Sequence, residues 1–562
     1  MHFDCLILGG GPAASTVGAL LRRYKPELSV MIVEREKFPR DHIGESMLPV
    51  MMSVLGEMGV YDKVEAQNFP IKIGSTYRWG IRKDLWSLSF LDEPLTDAPR
   101  PLPLEGQRLS VAFHVDRGIY DKLLLEHAEE LGCTVHEQAK AIHVDKEGDK
   151  ILAVDVAFVQ PDGSETIERV TAKYFVDATG ATSMLRKSMG VEAEFPTRLR
   201  NIAVWDYWQN PEWAETIGVG GTRVQILSVD WGWLWFIPIT ATRTSVGLVT
   251  HADYYKNSGK STEELYTQAI QQDPIVSSLL KNAQRENNLR ATKDWSYVAE
   301  RMTGENWFLA GDAAGFADPI LSAGLTLAQV SARKVADSII ELENDLHDAQ
   351  WIKDEYNRTH RFNVLQHHRF AQFWYASNGC SKDLKEYCSQ IAADAGITLG
   401  AEAAFRWMAT GGFTAGNRPD VRSTSFGMTG ISAIAGKIFG EESTWHIKRF
   451  NVFKLNLEGS SEGTIAIYRD GEIVPTKCYR RGDSELPLTF ANRVVINALK
   501  AESDGVCLHR AFQNMVKQLN QTDKAVSYLL EAMESMVLEG WITAELDESK
   551  PTMAFEQMTM FS

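Results

Sequence analysis

Cysteine is scarce in this chain of 562 residues: Cys5, Cys133, Cys380, Cys388, Cys478 and Cys507 stand far apart, with no Cys-x-x-Cys pair among them. That scatter excludes a zinc knuckle and a disulfide framework, and makes a reducing cytoplasm the expected compartment. Positive charge is short as well, since 58 Lys and Arg against 74 Asp and Glu leave a formal charge of −16. Without a basic surplus the chain lacks the footprint that nucleic acid or anionic lipid requires of a partner. No run reaches the ~18 apolar residues of a membrane span. Met1-His-Phe-Asp-Cys-Leu-Ile-Leu8 enters an apolar strand with neither the basic stretch nor the small-residue cleavage site of a secretory leader. What remains is the composition of a large acidic enzyme, too long for one core and expected to divide into two or three domains.

The start of the chain is its clearest chemical statement. The apolar run Phe3–Leu8 stops at Gly9-Gly-Gly11-Pro12-Ala13-Ala14, an Ala/Leu-rich helix follows to about Arg23, and Leu28–Val33 is a second apolar run ending at Glu34, twenty residues past Ala14. Strand, glycine turn, helix, strand and a spaced acid form the context that a dinucleotide fingerprint demands. Gly9 and Gly11 permit a tight turn and close approach of a pyrophosphate to the helix N-terminus, while Glu34 accepts hydrogen bonds from ribose hydroxyls.

Two further segments favour FAD over NAD. Phe175-Val-Asp177-Ala-Thr-Gly180 reads as a buried strand ending in a turn, and Trp307-Phe-Leu-Ala-Gly311-Asp312-Ala-Ala repeats that pattern, with a helix expected to follow. An acid at such a strand end, here Asp312, suits ribityl hydroxyls. Arg117, in Val115-Asp-Arg117-Gly-Ile-Tyr-Asp121, is either an FAD contact beside a helix start or an ordinary surface arginine.

Residues 195–250 carry short alternating aromatic and β-branched runs, such as Asn201-Ile-Ala-Val-Trp-Asp-Tyr-Trp208, and predict an antiparallel substrate sheet; residues 325–410 read as mostly helical. Gly218-Val-Gly-Gly221 lacks the flanks of a second dinucleotide site. Near the C-terminus, Asp470-Gly471 between two β-rich runs signals a hairpin. Thr522 is a fitting N-cap for a helix with apolar Val526, Leu529, Met533 and Met536, closed by Gly540 before Trp541-Ile542. These elements read as a winged-helix-like module. From Ser484 to Ser562 there are 6 basic and 11 acidic residues, a balance for packing or carrier-protein docking rather than DNA.

Over roughly Met1 to Tyr375 the chain resembles the flavin-dependent halogenases, within the FAD monooxygenase-like class. The resemblance rests on Gly9-x-Gly11-x-x-Ala14, Phe38-Pro-Arg40 with Gly44-Glu45-Ser46, Lys72 with Trp79-Gly80, Trp233-x-Trp235-x-Ile237-Pro238, Asp294-Trp-Ser-Tyr297, Gly311-Asp312 and Asp318-Pro-x-x-Ser322-x-Gly324. Lys72 together with the tryptophan run is particular to that family; the glycine motifs are shared with hydroxylases and reductases. The resemblance implies an α/β fold: a glutathione-reductase-like, Rossmann-like FAD-binding core over 1–375 with an interleaved antiparallel sheet (about 70–115 and 195–290), a helical or irregular region over 376–455, and the winged-helix-like module over 456–562.

It also implies a two-site enzyme. Reduced flavin, oxygen and chloride or bromide yield hypohalous acid, which passes through a tunnel to Lys72 facing the substrate. Gly9, Gly11, Pro12, Ala13, Ala14, Glu34, Arg35, Arg40, Glu45, Ser46, Arg117, Gly311 and Asp312 are then the expected FAD contacts. Trp233 and Trp235 wall the passage, and the backbone after Ser322, at Ala323 and Gly324, holds halide. A lone buried amine suits its task because free hypohalous acid is indiscriminate, and burial brings its protonation near neutrality. By composition alone Lys72 merely snorkels to a surface and the indoles are core. The chain departs from the tryptophan halogenases at Leu321, where they carry a glutamate. This implies a substrate already electron-rich, namely a phenol, a pyrrole or an enolisable acyl group, possibly tethered to a carrier protein, with a separate flavin reductase as partner.

Other features give less. His360 and His367 share a helical face, without a carboxylate at ligand spacing for a metal; Phe370, Phe373, Trp374 and Tyr375 are either pocket lining or core. The small-residue segment Gly427–Phe439 is either a lid or a close-packed helix. The competing classes are an FAD hydroxylase or reductase, which has no use for Lys72, and a non-catalytic flavin-binding protein.

Overall fold

The computed structural model describes residues 1–79, 84–90, 108, 111–197, 199–218, 220–293, 295–378, 445–482, 484–520 and 523–555. Gly80, Val219, Asp294, Cys380, Cys388, Thr522 and the segment 427–439 lie outside the described residues, as does most of 376–455. The chain divides into two compact units. The first holds Met1–Arg78, Leu85–Gln372 and Tyr468–Ile473, and the second Trp79–Asp84, Phe373–Ile467 and Val474–Ser562.

In the first unit, a sheet in the order Thr134–His136, Val30–Val33, His2–Leu8, Glu165–Asp177, Lys150–Val159, Ala139–Glu147 carries the N-terminal motif, and Trp307–Leu309 joins it beside Glu165–Asp177. The neighbours of His2–Leu8 are parallel to it, as buried crossover strands require, whereas Lys150–Val159 runs antiparallel to both of its own. The 13-residue strand Glu165–Asp177 serves both halves, its C-terminal end against the first strand and its N-terminal end in the antiparallel ribbon.

The second sheet has the order Gln284–Arg285, Asn201–Gln209, Arg243–His251, Gly232–Pro238, Gly221–Val229, Ile71–Arg78, Trp86–Ser89, with Arg290–Lys293 and Ala112–Phe113 on its flanks. Leu234, Phe236, Val246 and Leu248 alternate onto one face and pack with Leu265, Tyr266 and Ala269 of the helix Thr262–Gln272. The alternate residues, Trp233 and Trp235 among them, therefore occupy the opposite face. One joint departs from the antiparallel expectation: Ile71–Arg78 lies parallel to Gly221–Val229.

The expected helix directly after Asp312 is corrected. Gly311–Ala313 is a single 3₁₀ turn, and the long helix starts only at Gly324, running to Asn344. The turn ends because Gly315–Phe316 leaves it as a short strand paired with Tyr297–Ala299.

In the second unit, helices Phe490–Ala501, Gly505–Gln518 and Asp523–Leu538 bury Val495, Leu508, Phe512, Met533 and Met536 around Trp541, and Val452–Leu455 pairs with Ile542–Glu545. Ser461–Arg469 and Glu472–Arg481 turn about Asp470 and Gly471 at φ +52° and +76°, the left-handed pair that a two-residue hairpin needs. Gly540, at φ +72°, ends the last helix.

Candidate active site

The Gly9 turn is sterically committed. At φ +101° an added Cβ would lie 2.4 Å from the Ala178 carbonyl oxygen, so no other residue fits between the two parallel strand ends. The amide of Gly10 donates to Glu34 Oε2 at 2.6 Å and that of Glu36 to Oε1 at 2.8 Å, which fixes the acid at the end of Val30–Val33. Helix Pro12–Tyr24 begins at Gly11 with no side-chain cap, and a Cβ on Gly11 would meet only Arg40 Nη2, at 3.6 Å. Open space before uncapped N–H groups suits an anion. Ala13 closes on the remote Gly311, where an added Cβ would lie 3.1 Å from the Ala13 methyl. This contact brings half-buried Asp312 to the same turn, with its carboxyl pushed up to about 6 by desolvation and partly pulled back by Arg117. The residues present thus fit FAD: helix amides for pyrophosphate, Glu34 for ribose, Asp312 for ribityl hydroxyls.

Arg117 is neither a surface arginine nor free to reach outward. It is buried, forks Nε and Nη2 onto Asp121 at 2.6 and 2.8 Å, and donates Nη1 to the carbonyls of Ile43 and Gly44 at 2.9 and 3.0 Å. It thereby clamps the loop that carries Glu45 and Ser46. Asp116 caps the helix Arg117–Glu130 that supplies it. Glu45 is buried between loop and sheet, and desolvation pushes its carboxyl up to about 7, against the opposing pull of the Ser245 and Tyr207 hydroxyls. Arg40 lies over the Phe38 ring and within 3.4 Å of Asp121, whereas Arg35 stays in solvent beside Glu36.

Lys72 is 1% exposed. Its Nζ donates to the Met47 carbonyl at 2.9 Å and stands 5.5 Å from the Phe90 ring centre, and desolvation brings its pKa down to about 7. A bulge decides where it points. Lys72 pairs with Thr222, but Gly74 pairs with Arg223, so Ile73 is the extra residue. The shift places Lys72 in the row of Thr222 and Ile226, and Ile226 is the partner of Trp235. Lysine and indoles thereby share a face, the kind of re-aiming a bulge performs.

Trp233 and Trp235 are both buried, with ring centres 5.9 Å apart at 53°. Trp235 donates Nε1–H to Ser245 Oγ at 3.1 Å and lies across Gly247 of the next strand, where a Cβ would fall 2.1 Å from the ring. Gly247→Ala should therefore displace the indole and destabilise the protein by about 1–3 kcal/mol, measured by urea unfolding.

Asp318 accepts from the Ile320 amide at 3.0 Å, Ser322 turns left-handed at φ +57°, and helix Gly324–Asn344 starts without a side-chain cap. An added Cβ at Gly324 would meet Phe316 at 2.9 Å. Ala323 and Gly324 open the helix with amides that make no hydrogen bond among the described residues, a place an anion fits. Leu321 ends the turn Pro319–Leu321 just before them.

Two neighbours of Lys72 were not legible in the sequence. Met47 acts through its carbonyl, which no side-chain pattern reveals. His114, fully buried, pairs backbone to backbone with Ser46, and its place three residues before Arg117 is the available signal. His360, His367 and His368 are buried, and among the described residues no group of three His, Cys, Asp or Glu is placed to hold a metal. Nor, among those residues, is any helix long and apolar enough to cross a membrane.

Known proteins resemble this chain in sequence and fold. Residues 2–366 match the family model described as an FAD binding domain. The chain is 31% identical over 395 residues to a 1H-pyrrole-2-carbonyl-[peptidyl-carrier protein] chlorinase of Pseudomonas fluorescens, covering 67% of this chain and 84% of that one. It is 33% identical over 342 residues to a tryptophan 2-halogenase of Chondromyces crocatus, covering 59% of this chain and 60% of the relative's length. Among solved structures, the myxobacterial chondrochloren halogenase CndH aligns with a TM-score of 0.61 at 26% identity, over 78% of this chain and 97% of that one. The flavin-dependent halogenase CmlS aligns over 100% of this chain and 99% of its own with a TM-score of 0.71; at 23% identity it speaks for the fold alone. A flavin cradle, a buried lysine on the indole face and these relatives converge: the chain belongs to the flavin-dependent halogenases, enzymes that use FAD with chloride or bromide.

Proposed function

We propose that Lys72 is the residue at which hypohalous acid is used, on an electron-rich phenol, pyrrole or activated acyl group, free or tethered to a carrier protein. The observation that carries this is the lysine's setting: an amine with one backbone carbonyl as its hydrogen-bond partner, fully desolvated, and turned to the indole face by a bulge. When bound, reduced flavin supplies the two-electron chemistry that oxidises halide. Trp233 and Trp235 deny the substrate direct access to that centre, and the backbone amides after Ser322, at Ala323 and Gly324, hold the halide. Gly9, Gly11, Pro12, Ala13, Ala14, Glu34, Arg35, Arg40, Glu45, Ser46, Gly311 and Asp312 bind FAD, and Arg117 acts by holding the Glu45–Ser46 loop.

Leu321 supports the choice of substrate. Without a carboxylate at that position, the ring or acyl group must stabilise its own positive charge on attack. The exclusion of free tryptophan rests on Leu321 alone, because a tryptophan 2-halogenase stands among the relatives. The pyrrolyl-carrier chlorinase supports carrier presentation. A separate flavin reductase supplies the reduced cofactor, and the C-terminal helices and hairpin form a winged-helix-like surface for carrier docking.

The test is one incubation of purified protein with FAD, a reductase, NADH, oxygen and bromide, offered a pyrrolyl thioester on a carrier protein, free phenols and free tryptophan. A bromine isotope pattern on the thioester or a phenol is expected. Addition of oxygen alone, or halogenation of tryptophan alone, overturns the reading.

A further inference from the structure

The Lys72 reading leaves one proton without a destination. Electrophilic halogenation at carbon must remove a hydrogen from the carbon attacked, and the position where related enzymes place a carboxylate is Leu321. Resting on that reading, we propose that His114 is the base that takes this proton and returns it to Lys72.

Placement comes first. Lys72 pairs with Ala112 across the antiparallel joint, and the amide of His114 donates to the Pro70 carbonyl at 3.0 Å. Lys72 and His114 are therefore diagonal neighbours on one face, within reach of a shared small substrate. Ile71 and Phe113, the alternate pair, face the apolar core instead. His114 also pairs with Ser46, next to the Met47 carbonyl that receives the lysine. One short stretch of backbone thus positions both side chains.

The ring itself is unusual. It is 0% exposed, and neither nitrogen makes a well-directed hydrogen bond; the Pro238 carbonyl lies beside it off that geometry. A buried polar group left this way calls for a partner that arrives later. Desolvation, then the Lys72 charge, hold its pKa well below the ordinary histidine value, and Lys72 is the charged group whose field reaches it. The imidazole is consequently neutral at working pH.

A weak base suffices because the cationic intermediate is a far stronger acid than imidazolium. The substrate carbon attacks the halogen of hypohalous acid held by the Lys72 ammonium, so a carbon–halogen bond forms and the halogen–oxygen bond breaks. The departing hydroxide takes a proton from Lys72 and leaves as water. The carbon then loses its proton to His114, and the imidazolium passes it to the Lys72 amine. That last transfer runs downhill, since the lysine is the stronger base. The sum is substrate C–H plus hypohalous acid giving substrate C–halogen plus water.

The test uses His114→Gln in the full-length, FAD-loaded enzyme, with substrate deuterated at the halogenated carbon and a diffusible thiol to trap escaping hypohalous acid. Halogenation is expected to fall about 100-fold. A primary isotope effect absent from the wild type should appear, while trapped hypohalous acid accounts for the missing product. A merely structural histidine would not create the isotope effect. Should the glutamine variant fail to load FAD, His114→Asn is measured in the same way. Unchanged rate, or a slower rate without an isotope effect, overturns the role of His114. A wild type that oxidises halide yet halogenates no substrate overturns the Lys72 reading beneath it.

Discussion

Replacing Arg117 by alanine should cost about 3–5 kcal/mol of stability and strip the protein of FAD, because it leaves the Asp121 carboxylate buried with its forked partner gone. Asp121 is 0% exposed, and its remaining cationic neighbour, Arg40, stands at 3.4 Å rather than in a bidentate bond. The same substitution releases the Ile43 and Gly44 carbonyls, and with them the loop that presents Glu45 and Ser46. It also removes the cation that tempers Asp312. Arg117→Lys keeps a charge but not the fork, and should recover only part of the loss. Urea midpoints with flavin absorbance on the purified variants check both effects.

Lys72→Ala should abolish product, by at least about 100-fold, while flavin continues to be oxidised. Among the described contacts, the lysine's tie toward the FAD cradle is its bond to the Met47 carbonyl, beside Glu45 and Ser46, so flavin loading of the variant is measured as well. Its partners are Met47, Phe90 and the field at His114. With a pKa near 7 the amine is divided between ammonium and free base at neutral pH, so one group can both donate to the oxidant and be restored afterwards. Lys72→Arg stays cationic at any working pH and should not rescue turnover. Product mass spectrometry beside flavin oxidation in the same tube reads the two activities separately.

The glycine turn and the C-terminal hairpin were legible because their signals are local: three glycines between two apolar runs with an acid at fixed spacing, and Asp470-Gly471 between β-rich stretches, each act within a short stretch of chain. The tryptophan run was legible for the same reason, since alternation alone puts both indoles on one face. What the chain did not disclose depends on partners far away. Ile73 becomes a bulge only against Thr222 and Arg223, and without that register the side on which Lys72 lies is undetermined. Arg117 reads in sequence as either an FAD contact or a surface arginine, and only its partners, Asp121 and the distant Ile43 and Gly44 carbonyls, show it buried in a clamp. The helix expected after Asp312 gives way to the short strand Gly315–Phe316, whose partner Tyr297–Ala299 no local signal names. His114 is one polar residue in an apolar run, marked in sequence by no more than its place three residues before Arg117.

The central claim is that the oxidant is made in one place and used in another, at Lys72. The most direct measurement is the fate of hypohalous acid per flavin oxidised, with a diffusible thiol trap present, in wild type and Lys72→Ala. The account predicts that the wild type delivers oxidant to substrate with little captured by the trap, whereas the variant loses product and the trap gains a matching amount. Equal halogenation by both proteins, or a variant that loses product without releasing oxidant, would contradict it.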